Sequence, residues 1–198
     1  MVMNKPDKNQ SWNGGWLRSA RRLDSPNFNQ RPNECEIALI VLHSISLPPG
    51  NYGGGEVEAL FTNSLDWDAH SYFQNIRGLK VSAHFFITRL GELIQFVDCH
   101  DRAWHAGVSS FKGRKNCNDY SIGIELEGLE GQGFEADQYS VLVRLCNALR
   151  ERFPIESIVG HSHIAPGRKF DPGAGFSWAD FQQMLNWGTK YFPETSDS

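Results

Sequence analysis

The feature that most limits how this chain can fold is an unbroken apolar run, Ile37-Ala38-Leu39-Ile40-Val41-Leu42, which stops at His43. A β-branched run of that length is what a strand buried on both faces looks like, and such strands belong to sheets covered on each side. It is far shorter than the 18 or more apolar residues that a membrane-spanning helix needs, so no spanning segment is expected.

The remaining pattern supplies the cover. Val81–Thr88 and Glu92–Val97 are β-rich and flank Arg89, Leu90 and Gly91, which predicts a hairpin. Ser121–Glu127 alternates Ile122, Ile124 and Leu126 with Gly123, Glu125 and Glu127, so one face is buried and the other presents carboxylates. Leu142, Leu145, Cys146, Leu149 and Phe153 trace one stripe of a helix that starts near Ala136 and ends before Pro154. Ser157–Gly160 reads as a brief strand, Glu56–Asn63 as a short helix, and Ser177 with Asp180 as the cap of a last helix. Three stretches resist any regular element: Ser44–Gly55, with two prolines and four glycines, His100–Asp119, and His161–Gly175. The expectation is a mixed α/β (α+β) fold, one domain with a central mixed sheet flanked by helices, the long loops gathered where chemistry takes place.

With 198 residues, 40% of them hydrophobic, the chain has enough apolar surface for one core. The domain is placed at residues 37–190, preceded by an Asn-, Pro- and Arg-rich arm, 1–36, ordered where Trp16, Leu17 and Leu23 pack, and followed by a flexible tail, 191–198. Nineteen Lys and Arg against 23 Asp and Glu leave a formal charge of −4, without the basic excess of a nucleic-acid binder. Met1 to Arg22 carries no apolar signal region, and Cys35, Cys99, Cys117 and Cys146 form no CxxC pair. Both point to a reduced, cytosolic protein.

Three residues suggest chemistry. His43 and His161 each end a strand at the mouth of a loop, and Asp171 follows His161 by ten residues. Two neutral imidazoles and one carboxylate leave zinc a free tetrahedral position, the pattern of catalytic zinc. On spacing alone each histidine reads first as a polar residue satisfied by a backbone carbonyl, and ligands 118 positions apart meet only if the fold joins them. Glu125 likewise reads as either a catalytic or a solvated carboxylate.

Five segments in register carry a resemblance: Leu42-His43-Ser44-Ile45-Ser46-Leu47-Pro48-Pro49-Gly50, Val81-Ser82-Ala83-His84, Arg102 to Ser109 with Trp104-His105-Ala106-Gly107, Cys117 to Gly128, and Gly160 to Gly173. From about Gly15 to about Leu185 the chain resembles the zinc N-acetylmuramoyl-L-alanine amidases, and within them the AmpD branch. The resemblance implies a peptidoglycan-recognition or T7-lysozyme-like fold and one Zn²⁺ held by His43, His161 and Asp171. It implies hydrolysis of the amide between muramic acid and L-alanine in 1,6-anhydromuramyl peptides, with or without GlcNAc. The setting would be cytosolic recycling of the cell wall by a monomer, with indirect control of β-lactamase induction where that circuit exists. Glu125 then serves as general base and acid, and Lys169, two residues before Asp171, faces the oxyanion. Trp104 and His105 are the candidates for lining the sugar or peptide groove, and Lys80, Arg102, Arg114 and Lys115 for meeting the substrate's carboxylates. His163 is read as a pocket or surface residue. His84 is read as a satisfied histidine inside a strand, and Ser44 stands where an Asn is common in the family. Relatives with the same groove also include recognition modules that lack a zinc ligand, phage lysozymes that bind RNA polymerase, and periplasmic amidases acting on intact murein. Here all three ligand positions and Glu125 are filled.

Overall fold

The computed structural model describes residues 11–193. Its centre is a six-stranded mixed sheet built from β1 (Arg21–Arg22), β2 (Leu39–Ile45), β3 (Phe85–Ile87), β4 (Leu93–Gln95), β5 (Ser121–Glu127) and β6 (Ser157–Gly160). The spatial order is β6-β2-β5-β3-β4-β1. Strands β6, β2, β5 and β3 run parallel, β3 and β4 form the expected antiparallel hairpin, and β1 adds in parallel to β4. Among the described residues four α-helices accompany the sheet: α1 (Glu56–Phe61), α2 (Ala136–Arg152), α3 (His161–Ile164) and α4 (Trp178–Leu185).

Strand alternation sorts the sheet into two faces. Ile40, Leu42, Ile122, Ile124 and Ile158 point to one side, where they pack in one cluster with Leu142, Leu145, Cys146 and Leu149 of α2 and Phe181 and Leu185 of α4. Glu135 caps α2, its backbone N–H donating to the Gln138 side chain, while the buried Gln138 amide donates to the carbonyls of Ile87 and Glu127. The helix stops at extended Phe153, as the residue before Pro154 must. Leu39, Val41, His43, Ser121, Gly123, Glu125 and Val159 take the opposite face by the same parity, and irregular segments cover it.

Several boundaries differ from the sequence reading. β2 continues through His43 to Ile45, because seven consecutive residues pair with β5 from Leu39↔Ser121 to Ile45↔Glu127. His43 is therefore held inside a strand. Every residue of β5 is buried, so its carboxylate-bearing face lies beneath loops rather than in solvent. β3 starts only at Phe85, and His84 precedes it: the Gly123 N–H donates to the His84 imidazole in place of a strand carbonyl. His161 opens a single helical turn where an irregular stretch was expected.

Residues 11–36 pack against the sheet. Trp12 and Leu17 are buried, Arg22 stacks over Trp16 at 3.8 Å, and Phe28–Gln30 pairs with Asp101–Ala103. The frayed tail expected at the C-terminus falls, for residues 194–198, outside the described residues, as do residues 1–10 of the arm. All four cysteines are free thiols.

Candidate active site

Register brings the distant histidines together. β6 lies beside β2 with Gly160 opposite Leu42, so the next residue of each strand, His161 and His43, are neighbours. The turn of α3 then sends the chain out and back, and Asp171 returns with its carbonyl accepting from Ser162 N–H at 3.0 Å. Gly160 is required at the junction, since a Cβ there would sit 2.7 Å from Pro172 Cδ. His163 contributes from outside the cleft: its Nδ1 accepts the Gly160 N–H at 2.9 Å and its ring meets Trp178, so it caps the turn that presents His161.

His43 Nδ1, His161 Nδ1 and Asp171 Oδ2 form a nearly equilateral triangle with edges of 3.0, 3.0 and 3.1 Å. All three residues are buried. His161 Nε2 lies 3.1 Å from the Ala106 carbonyl and must donate to it, which leaves the Nδ1 of a neutral ring as a lone pair. Lone pairs and a carboxylate oxygen converging at 3 Å repel one another unless a proton or a metal cation lies between them. Tetrahedral zinc with donor bonds of about 2.0–2.1 Å places its donors about 3.3–3.4 Å apart, close to the edges seen here. The donor set therefore fits a metal. Burial pulls the His43 imidazolium down to about 4, which keeps it neutral and ready to donate its lone pair near pH 7.

Glu125, paired in register with His43, lies in the same cleft. Its Oε2 is buried without a hydrogen-bond partner, and burial, reinforced by the charge of Asp171, raises its carboxyl well above the usual carboxylate range. A desolvated carboxylate of this kind is suited to taking and returning a proton. The cleft, about 460 Å³, is lined by His43, Glu125, His161 and Asp171 together with Trp104, His105 and Lys169. Leu47, Leu60, Tyr72 and Leu79 supply apolar wall.

The other expected residues divide. Trp104 lines the cleft half-buried, its Nε1 donating to Asn29 at 2.7 Å. His105 lines it too, but both ring nitrogens are engaged, with His43 Nε2 at 2.9 Å and Ser121 Oγ at 3.1 Å. Lys80 is exposed between two cleft residues, Leu79 and Val81, and does not itself line the wall. Arg114 is not in the cleft: it sits on an exposed ribbon, stacked over Tyr120 at 3.8 Å and donating to Cys35 Sγ. Lys115 shares that ribbon, and Arg102 is taken up by an ion pair with Asp119. Ser44 lines the cleft beside His43, its Oγ buried without a partner.

Two groups escaped the sequence reading. Arg31, in the N-terminal arm, is largely buried and donates to the carbonyls of Cys99, Asn118, Asp119 and Ser121, fixing the start of β5. Burial lowers its guanidinium to about 10. Glu127 accepts from Gly53 N–H at 2.5 Å and Arg89 N–H at 2.9 Å, so the Gly-rich loop is tied to the hairpin turn. Glu127 was visible in the alternation of β5, two residues beyond Glu125. Arg31 left no periodic signal.

A family model described as N-acetylmuramoyl-L-alanine amidase matches residues 33–174, which include all four residues of the site. The 1,6-anhydro-N-acetylmuramyl-L-alanine amidase AmpD of Citrobacter freundii is 50% identical over 173 residues, 86% of this chain and 92% of that protein. A crystal structure of a selenomethionine AmpD derivative superimposes with a TM-score of 0.85 at 50% identity, over 87% of this chain and 98% of that one. The Escherichia coli amidase AmiD, solved with anhydro-N-acetylmuramic acid-L-Ala-D-γ-Glu-L-Lys, gives a TM-score of 0.56 at 28% identity, over 78% of this chain and 60% of that one. With the family model covering most of the chain and AmpD matching it at one-half identity over most of both chains, this chain belongs to the N-acetylmuramoyl-L-alanine amidase family.

Proposed function

We propose that this protein is a zinc-dependent amidase that hydrolyses the amide between N-acetylmuramic acid and L-alanine in 1,6-anhydromuramyl peptides, with or without GlcNAc. The observation that carries the reading is the convergence of the His43, His161 and Asp171 donors beside the unpartnered carboxylate of Glu125. Identity of about one half with AmpD, across most of both chains, supports the anhydro substrate, and the ligand bound in the AmiD structure supports a muramyl peptide in this cleft. A recognition module would not need a desolvated general base.

Zinc held by His43, His161 and Asp171 would supply a Lewis acid that acidifies water and polarises the scissile carbonyl. Glu125 takes the proton of the attacking water at its free oxygen and returns it to the leaving alanine nitrogen, which otherwise departs as an unfavourable amide anion. The Lys169 ammonium, on the cleft wall, opposes the negative charge that develops on the carbonyl oxygen. Apolar wall residues such as Leu47 and Leu79 exclude water around the reacting amide. Trp104 offers an aromatic face to the sugar or the peptide stem, and exposed Lys80 a charge at the rim for a stem carboxylate. The proposed setting is cytosolic recycling of cell-wall fragments by a monomer, with indirect influence on β-lactamase induction where that circuit operates.

The test is zinc content measured together with hydrolysis of a purified 1,6-anhydromuramyl tripeptide and of intact murein. One zinc per chain, with release of soluble peptide and little action on murein, is the expected result. One zinc without cleavage of either substrate would replace this reading with a recognition module.

A further inference from the structure

Resting on the zinc reading above, we infer that His105 and Ser121 form a relay that fixes the donor tautomer of His43 and thereby sets the metal affinity of the site. His43 is buried, and its Nε2 faces His105 Nδ1 at 2.9 Å. Between two ring nitrogens at that distance one proton must lie, and the two placements have opposite consequences. With the proton on His105, the His43 proton moves to Nδ1 and points at Asp171 Oδ2, inside the donor triangle, where it blocks a cation. With the proton on His43 Nε2, the Nδ1 lone pair faces the triangle and His105 Nδ1 accepts. His105 then carries its own proton on Nε2, which Ser121 Oγ accepts at 3.1 Å. With a cation in the triangle, that set of neutral tautomers leaves every ring nitrogen of His43 and His105 either donating to an acceptor or facing a partner that needs its lone pair.

The fold builds this arrangement deliberately into β5. Ser121 and Gly123 share the site face, and a Cβ on Gly123 would lie 2.4 Å from His105 Cγ, so glycine makes the space that the imidazole occupies. Two consecutive residues tether the two metal-binding histidines: the His105 ring holds His43, and the Ala106 carbonyl holds His161. Asn118 Oδ1 accepts from both backbone N–H groups, His105 at 3.2 Å and Ala106 at 2.8 Å, and Arg168 Nη2 donates to the same Ala106 carbonyl at 2.9 Å. His161 thus has a fixed backbone acceptor, whereas His43 depends on a side chain that itself needs an acceptor. His105 is a positioning residue, and neither ring nitrogen is free for substrate.

The experiment is chelator competition for zinc by the full chain in four forms: unsubstituted, His105→Phe, His105→Gln and Ser121→Ala. His105→Phe keeps the ring shape without an acceptor and is expected to weaken zinc binding 10- to 100-fold, the usual effect of removing such an orienting partner. Ser121→Ala should weaken it less, in the same direction. His105→Gln, whose amide oxygen accepts from His43 Nε2, should recover part of the loss. Unchanged affinity in both His105→Phe and Ser121→Ala, with one zinc bound by the unsubstituted chain, overturns the relay and leaves the amidase reading intact. Absence of zinc binding by the unsubstituted chain overturns the amidase reading itself and the relay with it.

Discussion

At Glu125 the fold holds a carboxylate with one oxygen out of contact with any partner, a position that costs stability and serves turnover. Glu125→Gln is therefore expected to move the two properties in opposite directions. Turnover should fall by about 10²–10⁴-fold, the usual worth of a general acid–base, while zinc content stays at the level of the unsubstituted protein. In chelator the variant should be more stable at pH 7, by about 1–3 kcal/mol, since the amide is as large and polar but carries no charge to desolvate. The sign follows from the direction of the shift: the folded carboxyl titrates above its unfolded value, so ionisation opposes folding once pH exceeds about 4.3. The gain should shrink towards zero below that pH, and urea titrations across the range would show it. Asp171→Ala should lose zinc and activity together, which metal analysis separates from the Glu125 result. Lys169→Ala should depress kcat by about 10²-fold with a smaller rise in KM; a change in KM alone would make it a substrate clamp.

One element, β5, carries most of the site's construction. Along its site face Ser121 bonds His105, Gly123 makes room for it, Glu125 enters the cleft, and Glu127 ties down the Gly-rich loop. Gly123→Ala should therefore act as an overpacking change, destabilising by about 1–3 kcal/mol in denaturant titration. The start of the same strand depends on Arg31, whose guanidinium answers carbonyls on both sides of it. Arg31→Ala leaves those buried carbonyls unpaired and should cost about 3 kcal/mol or more, with loss of activity only through loss of folded protein. The alternation of β5 was legible because period two survives in sequence. Its complete burial was not, since that depends on the loops and on β2 and β3 lying beside it. The helix α2 stripe was legible to within a residue at both ends, because Glu135 with Gln138 and Pro154 punctuate it.

For the whole molecule, the three donors come from β2, from the turn after β6 and from the returning segment at Asp171, so a bound metal ties together parts of the chain that separate on unfolding. Removing it should lower the melting temperature, and zinc should restore it; at free metal 100 times its dissociation constant the gain is about 2.7 kcal/mol, which calorimetry with and without chelator would measure. The same reasoning divides what was readable. The sequence by itself determined the central buried strand, the hairpin and α2, since periodicity and turn chemistry are local properties of the chain, whereas His43, Glu125, His161 and Asp171 were singled out only through the resemblance of their motifs to a family. Only the tertiary structure decided that Gly160 stands beside Leu42, so that His161 meets His43, and that Arg114 turns away onto Tyr120. Only it revealed His105 as a partner of His43 rather than a free groove residue. The reason is physical: strand register and loop closure are set by pairings between segments far apart in the chain, and no local pattern records which backbone will lie beside which.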